Sequence, residues 1–155
     1  MKGTSFIELQ TMKIFVGQIY IEVGINYPFS HIFQRWISEQ LSSLVTSSQK
    51  FDEKYPDFNL VFNLSAKAEL TSPLIKGPTV FRKTKDVEYS IFLPYFEHDW
   101  SDPRTLRKPL RSFLDAAATL LQSLGADVSE LQARSESLID HILADPEMIR
   151  KPRDA

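Results

Sequence analysis

The chain has 155 residues, 43% of them hydrophobic and 25% charged, the size of one ordinary globular domain whose core needs neither disulfides nor a structural metal. It contains no cysteine, which excludes a disulfide framework, thiol catalysis and any thiolate metal site. Eighteen Lys and Arg stand against 20 Asp and Glu, a formal net charge of −2, so the molecule lacks the strong positive field of a general nucleic-acid binder.

Residues 1–11 precede a second methionine, Met12, and read as a flexible leader, an added strand or a stretch ahead of an alternative translation start. Glu8, Gln10, Lys13, Gln18 and Glu22 interrupt the apolar residues near the N-terminus, so no signal core is expected. Nowhere do about 18 apolar residues run together, as a spanning helix requires. The expectation is a single domain over 1–155, cytoplasmic, with 147–155 a frayed tail.

From Lys13 to Gly24, Phe15, Ile19, Ile21 and Val23 fall on one side and Ile14, Val16 and Tyr20 on the other. Two partly apolar faces predict an interior strand. Asn26-Tyr27-Pro28 ends it, and Phe29, Ile32, Phe33, Trp36, Ile37, Leu41, Leu44 and Val45 then recur at helical spacing. From Phe58 the alternation is strict: Phe58, Leu60, Phe62, Leu64, Ala66, Ala68 and Leu70 share one face, opposite Asn59, Val61, Asn63, Ser65 and Lys67. This predicts a half-buried strand whose second face suits bulk water or a partner.

After Thr71-Ser72-Pro73 and Gly77-Pro78, a strand over 79–84 and the alternating Val87, Tyr89, Ile91, Leu93 and Tyr95 predict a hairpin joined at Lys85-Asp86. Asp102-Pro103 opens a helix bearing Leu106, Leu110, Phe113, Leu114, Ala117, Leu121 and Leu124, with a stop at Gly125. Asp127 and Glu130 open a last helix carrying Leu131, Leu138, Ile139, Ile142 and Leu143, which ends at Asp145-Pro146. The fold class is α+β: a mainly antiparallel four-stranded sheet with helices packed on one face, in the order β-α-β-β-β-α-α.

Chemistry-bearing residues are few. His31, His98 and His141 lie far apart, and none has a second histidine at metal spacing. The richest cluster is Glu97-His98-Asp99-Trp100-Ser101-Asp102, in a loop between strand and helix. It leaves open a metal-dependent hydrolase built on Glu97, His98 and Asp99, although the all-helical setting in which HD-type phosphohydrolases use such a pair is missing. There is no glycine-rich phosphate loop, serine nucleophile elbow or zinc-protease helix.

Charge is segregated. Residues 76–111 hold eight Lys or Arg against five acids, whereas 112–147 hold Arg134 alone against seven. The last helix and its ends carry Asp127, Glu130, Glu136, Asp140, Asp145 and Glu147, which suits either a solvated face or docking of a basic partner. Arg104, Arg107, Lys108 and Arg111 follow helical spacing and suit an anion, without the interleaved aromatics of a nucleic-acid binder.

The run Met12-Lys13-Ile14-Phe15-Val16-Gly17-Gln18-Ile19, the helix with Trp36, the alternating strand from Phe58 to Leu70 and the hairpin ending in Leu93-Pro94 together resemble bacterial immunity proteins. These are small antidotes encoded beside polymorphic or contact-dependent growth-inhibition toxins. The resemblance implies a cytoplasmic binding protein that neutralises one cognate toxin domain, often a nuclease, in a stoichiometric complex. It implies no catalysis, cofactor, metal, nucleic-acid partner or membrane partner. An acidic surface would compete with nucleic acid for a basic nuclease groove, which makes Glu97, Asp99, Trp100, Glu130, Glu136 and Asp140 the candidate toxin-binding residues. A secretion chaperone is a further alternative, suggested by small size and acidity.

Overall fold

The computed structural model describes residues 19–24, 29–45, 58–67, 69–94 and 102–149. Along the chain lie β1 (Ile19–Val23), α1 (His31–Leu44), β2 (Asn59–Lys67), β3 (Leu74–Phe81) and β4 (Asp86–Pro94). A 3-10 turn (Pro103–Leu106), α2 (Arg107–Ser123), α3 (Ser129–Ala144) and a second 3-10 turn (Pro146–Met148) follow. The fold is α+β, with a four-stranded sheet and three α-helices among the described residues.

The sheet is mixed, which corrects the expectation of a mainly antiparallel one. Its spatial order is β1-β2-β4-β3, with β1 parallel to β2, β2 parallel to β4, and only β3 antiparallel to β4. The chain leaving β2 passes over the neighbouring position and builds β3 one place beyond. After the turn at 82–85, β4 returns into the gap. Alternation fixes which residues share a face, but it is the same for parallel and antiparallel neighbours. That is why the pattern misled on pairing and on the order of strands in the sheet.

A second correction concerns β1, expected in the interior. It lies at the sheet edge, and α1 covers it. The Ile19 N–H donates to Ser42 Oγ (2.9 Å), the Ile21 N–H to Ser38 Oγ (2.8 Å) and the Val23 N–H to Gln34 Oε1 (2.8 Å). These three acceptors are four residues apart on α1, so they step back along the helix by about one turn for every second residue that the strand advances. The Ser38 hydroxyl also donates to the Gln34 carbonyl oxygen at 2.6 Å, so both its hydrogen-bonding roles are used. An open strand edge invites pairing with another chain, and this side-chain ladder closes it.

The core lies on one face of the sheet. Ile19 and Ile21 of β1, Leu60, Phe62 and Leu64 of β2, and Val87, Tyr89 and Ile91 of β4 join one cluster with Phe33, Ile37 and Leu41 of α1, Leu110, Phe113 and Leu121 of α2, and Leu131, Ile139 and Ile142 of α3. Phe33 stacks on Phe29 (4.7 Å between centroids) and meets Phe113 edge-on (6.1 Å). Phe62 meets Tyr89 edge-on at 6.4 Å, and burial pushes the Tyr89 phenol up to about 12.

Local chemistry sets the helix ends. Asp102 and Asp145 each cap a 3-10 turn whose first residue is proline, accepting the N–H two residues on at 3.1 Å and 3.0 Å. Asp127 accepts both the N–H and the hydroxyl of Ser129, which hold its carboxyl below the usual range. Gly125 ends α2 with φ +94°. At the bulge between Lys76 and Thr79, Gly77 has φ +127°, and a Cβ there would lie 2.9 Å from the Glu88 carbonyl oxygen. The chain from 147, expected to fray, is held as far as Ile149. Ser30 donates through its hydroxyl to the Glu147 oxygen (2.6 Å) and through its N–H to the Met148 oxygen (2.9 Å), while Ile149 pairs with Phe29.

Candidate functional site

Of the sequence-predicted site residues, Glu97, Asp99 and Trp100, with the neighbouring His98, lie outside the described residues. The other three, Glu130, Glu136 and Asp140, are exposed on α3, but the structure treats them differently. Glu130 stands in the first turn, where a carboxylate complements the positive end of the helix. Glu136 and Asp140, one turn apart, accept the two arms of the Arg107 guanidinium at 2.8 Å and 2.5 Å, and Arg111, one turn along α2, also pairs with Glu136. Two arginines on one helix thus clasp two acids on the next.

The clasp changes the meaning of both charge clusters. Arg104, Arg107, Lys108 and Arg111 line an open groove of about 630 Å³ with Pro73, Ser112 and Asp115. Arg107 and Arg111 are already held by α3, and Arg104 grips both Asp102 oxygens at 2.9 Å and 3.0 Å. That grip, with the Arg104 N–H second to it, holds the Asp102 carboxyl below the usual range. An incoming anion meets a field largely cancelled within the molecule.

Among the described residues no three His, Asp or Glu side chains gather as metal ligands would. His31 is exposed at the start of α1, beside a groove of about 350 Å³ that it lines with Tyr20, Glu22, Arg35 and Glu39. His141 is exposed and lies flat on the half-buried Trp36, centroids 4.4 Å apart and planes within 4°. Trp36, one of the residues that recur at helical spacing, is thus only partly buried. No described helix is long and apolar enough to cross a membrane.

The sheet face opposite the core is the more distinctive surface. Strand register arranges its side chains in rows: Asn59, Asp86 and Phe81; then Tyr20, Val61, Glu88 and Thr79; then Glu22, Asn63, Ser90 and Lys76; then Ser65, Phe92 and Leu74. Among the described residues four large hydrophobic side chains are exposed, and three lie here: Tyr20 at 42%, Leu74 at 40% and Phe81 at 43%. Val61, expected with the wet residues, is only 4% exposed, between Tyr20 and Glu88. The Asn63 amide donates to Glu88 Oε1 at 3.0 Å, and Lys67 holds its ammonium 4.6 Å from the centre of the Phe92 ring.

Within this face is a hollow of about 270 Å³ lined by Glu22, Val23, Gly24, Asn63, Leu64, Ser65, Ser90 and Phe92. It lies where the C-terminal end of β1 meets the middle of β2. The sequence marked the polar side of β2 and set Tyr20 on the second side of β1, but did not mark the hydrophobic residues that β3 adds to this face. Leu74 and Phe81 are an odd number of residues apart, and only the bulge between Lys76 and Thr79 brings them to one side.

No protein-family model matches the chain, and no curated protein or solved structure matches it either.

Proposed function

We propose that this is an immunity protein, which neutralises a cognate toxin domain inside the cell by forming a stoichiometric complex through the open face of its sheet. One observation carries this reading: Tyr20, Leu74 and Phe81, the large exposed hydrophobics of three rows, share a face with half-buried Asn63, Glu88, Ser90 and Phe92. Aromatic and aliphatic anchors among polar groups make up the anatomy of a protein-binding patch, whereas a purely solvated face has no need of them. The acids on α3 contribute a weaker steering field, because Glu136 and Asp140 already face arginines.

The test is to mix the purified chain with the toxin domain encoded beside its gene. A 1:1 complex tighter than micromolar, together with rescue of growth in cells making the toxin, is the expected result. Binding weaker than micromolar with no rescue overturns the proposal.

A further inference from the structure

We infer that the hollow on the open face is the seat of one arginine side chain of the protein partner. This rests on the reading of that face as a contact surface, and it names the chemistry that the surface selects.

The hollow exists because of which residues meet there. Gly24 continues the pairing of β1, donating its N–H to the Leu64 oxygen at 2.7 Å, and brings no side chain. Ser65 on β2 and Ser90 on β4 are small, while Glu22, Asn63 and Phe92 rise around them. About 270 Å³ is below the roughly 300–1,000 Å³ typical of sites for drug-sized ligands. The space suits a single side chain delivered on a larger body.

The lining is rich in acceptors. Glu22 presents an exposed carboxylate, and Ser65 and Ser90 present hydroxyls. Asn63 spends an N–H on Glu88, which leaves its amide oxygen to accept, with the Glu88 carboxylate directly behind. Phe92 supplies an aromatic wall whose ring already carries the Lys67 ammonium. The one charged group in the lining itself is the Glu22 carboxylate, with Glu88 behind Asn63, while the Lys67 ammonium lies over the Phe92 ring and Lys76 stands beyond Ser90 on β3. A guanidinium matches this set: it is planar, always charged, brings five N–H donors in a fixed fork and stacks on aromatic rings. An ammonium brings only three donors and no plane, and an anion meets the Glu22 carboxylate.

The experiment needs no toxin. The ¹⁵N-labelled full chain is titrated with Nα-acetyl-arginine methylamide and, separately, with its uncharged isostere Nα-acetyl-citrulline methylamide. The expected result is movement of the Gly24, Ser65 and Ser90 amides and of the Asn63 side-chain amide with the arginine compound. The citrulline compound should bind about tenfold more weakly, since only the charge-assisted bonds are lost. Glu22→Gln, an exposed edge-strand change, should remove most of the difference while the rest of the spectrum stays in place. No movement at these amides, or equal response to the two compounds, overturns the inference. If the toxin still binds the wild-type chain, that failure removes the arginine seat alone; failure of toxin binding with the amide response intact removes only the proposed function.

Discussion

Leu60, Phe62 and Leu64 alternate along β2 with Val61, Asn63 and Ser65, and Val87, Tyr89 and Ile91 alternate along β4 with Glu88, Ser90 and Phe92. The first set of each strand belongs to the core cluster, and the second belongs to the opposite face. The same backbone and the same hydrogen bonds therefore serve two surfaces with different duties. On the core face a side chain is valued by the volume it fills, because interiors are close-packed. On the open face Asn63, Glu88, Lys67 and Phe92 are valued by what they hold and what they leave available. Substitutions on the two faces should separate stability from binding.

The largest effect belongs to the core face. Phe62→Ala removes a fully buried ring beside Tyr89 and should cost about 3–5 kcal/mol, read as a lower midpoint in urea unfolding. Next comes a pH effect on the same contact. The Tyr89 phenol, near 10 in an unfolded chain, is pushed up to about 12 by burial. Between these values the unfolded chain loses the proton that the folded one keeps, so stability is full below pH 10 and falls as pH rises towards 12. The loss should be on the order of 2 kcal/mol. Tyr89→Phe should flatten that part of the stability profile, and an equal slope in both proteins would show that Tyr89 is not responsible.

Smaller again is the edge. Ser38→Ala leaves the Ile21 N–H unpaired beneath α1, at a cost of about 1–3 kcal/mol. Because that N–H belongs to an edge strand, the variant should also self-associate more at high concentration than the wild type. Light scattering of matched samples checks this.

These predictions mark where the sequence was readable. Helix ends were, since Asp102-Pro103, Asp145-Pro146 and Gly125 act within two or three residues through a cap, a fixed φ or a left-handed one. The faces of β2 and β4 were, since a period of two needs no knowledge of neighbours. Pairing was not: whether β4 or β3 lies beside β2 depends on a chain crossing that leaves no periodic trace. The ladder of Gln34, Ser38 and Ser42 was equally hidden, as its partners on β1 lie 11 to 23 residues away. The site suffered most. Glu136 and Asp140 stand out in a linear count of charge, yet the arginine that engages both lies 29 and 33 residues earlier, and only the packing of α2 on α3 brings them together.

The smallest expected effect on stability is the one that tests the open face most directly. Tyr20 and Phe81 lie on opposite edge strands of the sheet and are 42% and 43% exposed, so replacing either with serine should change unfolding free energy by no more than about 0.5 kcal/mol. If the face is the contact surface, one or both should cost about 2 kcal/mol or more of binding, since aromatic anchors dominate such interfaces. Ile32 supplies the control. It is similarly exposed at 38%, but it lies on α1 and contributes nothing to the sheet face. Ile32→Ser removes as much exposed hydrophobic character and should leave toxin affinity unchanged. Equal losses for Tyr20→Ser and Ile32→Ser would mean that general stickiness, and not the sheet face, drives association. Losses at Tyr20 and Phe81 alone, with every variant folded as before, would tie recognition to alternate residues of strands whose other residues only hold the molecule together.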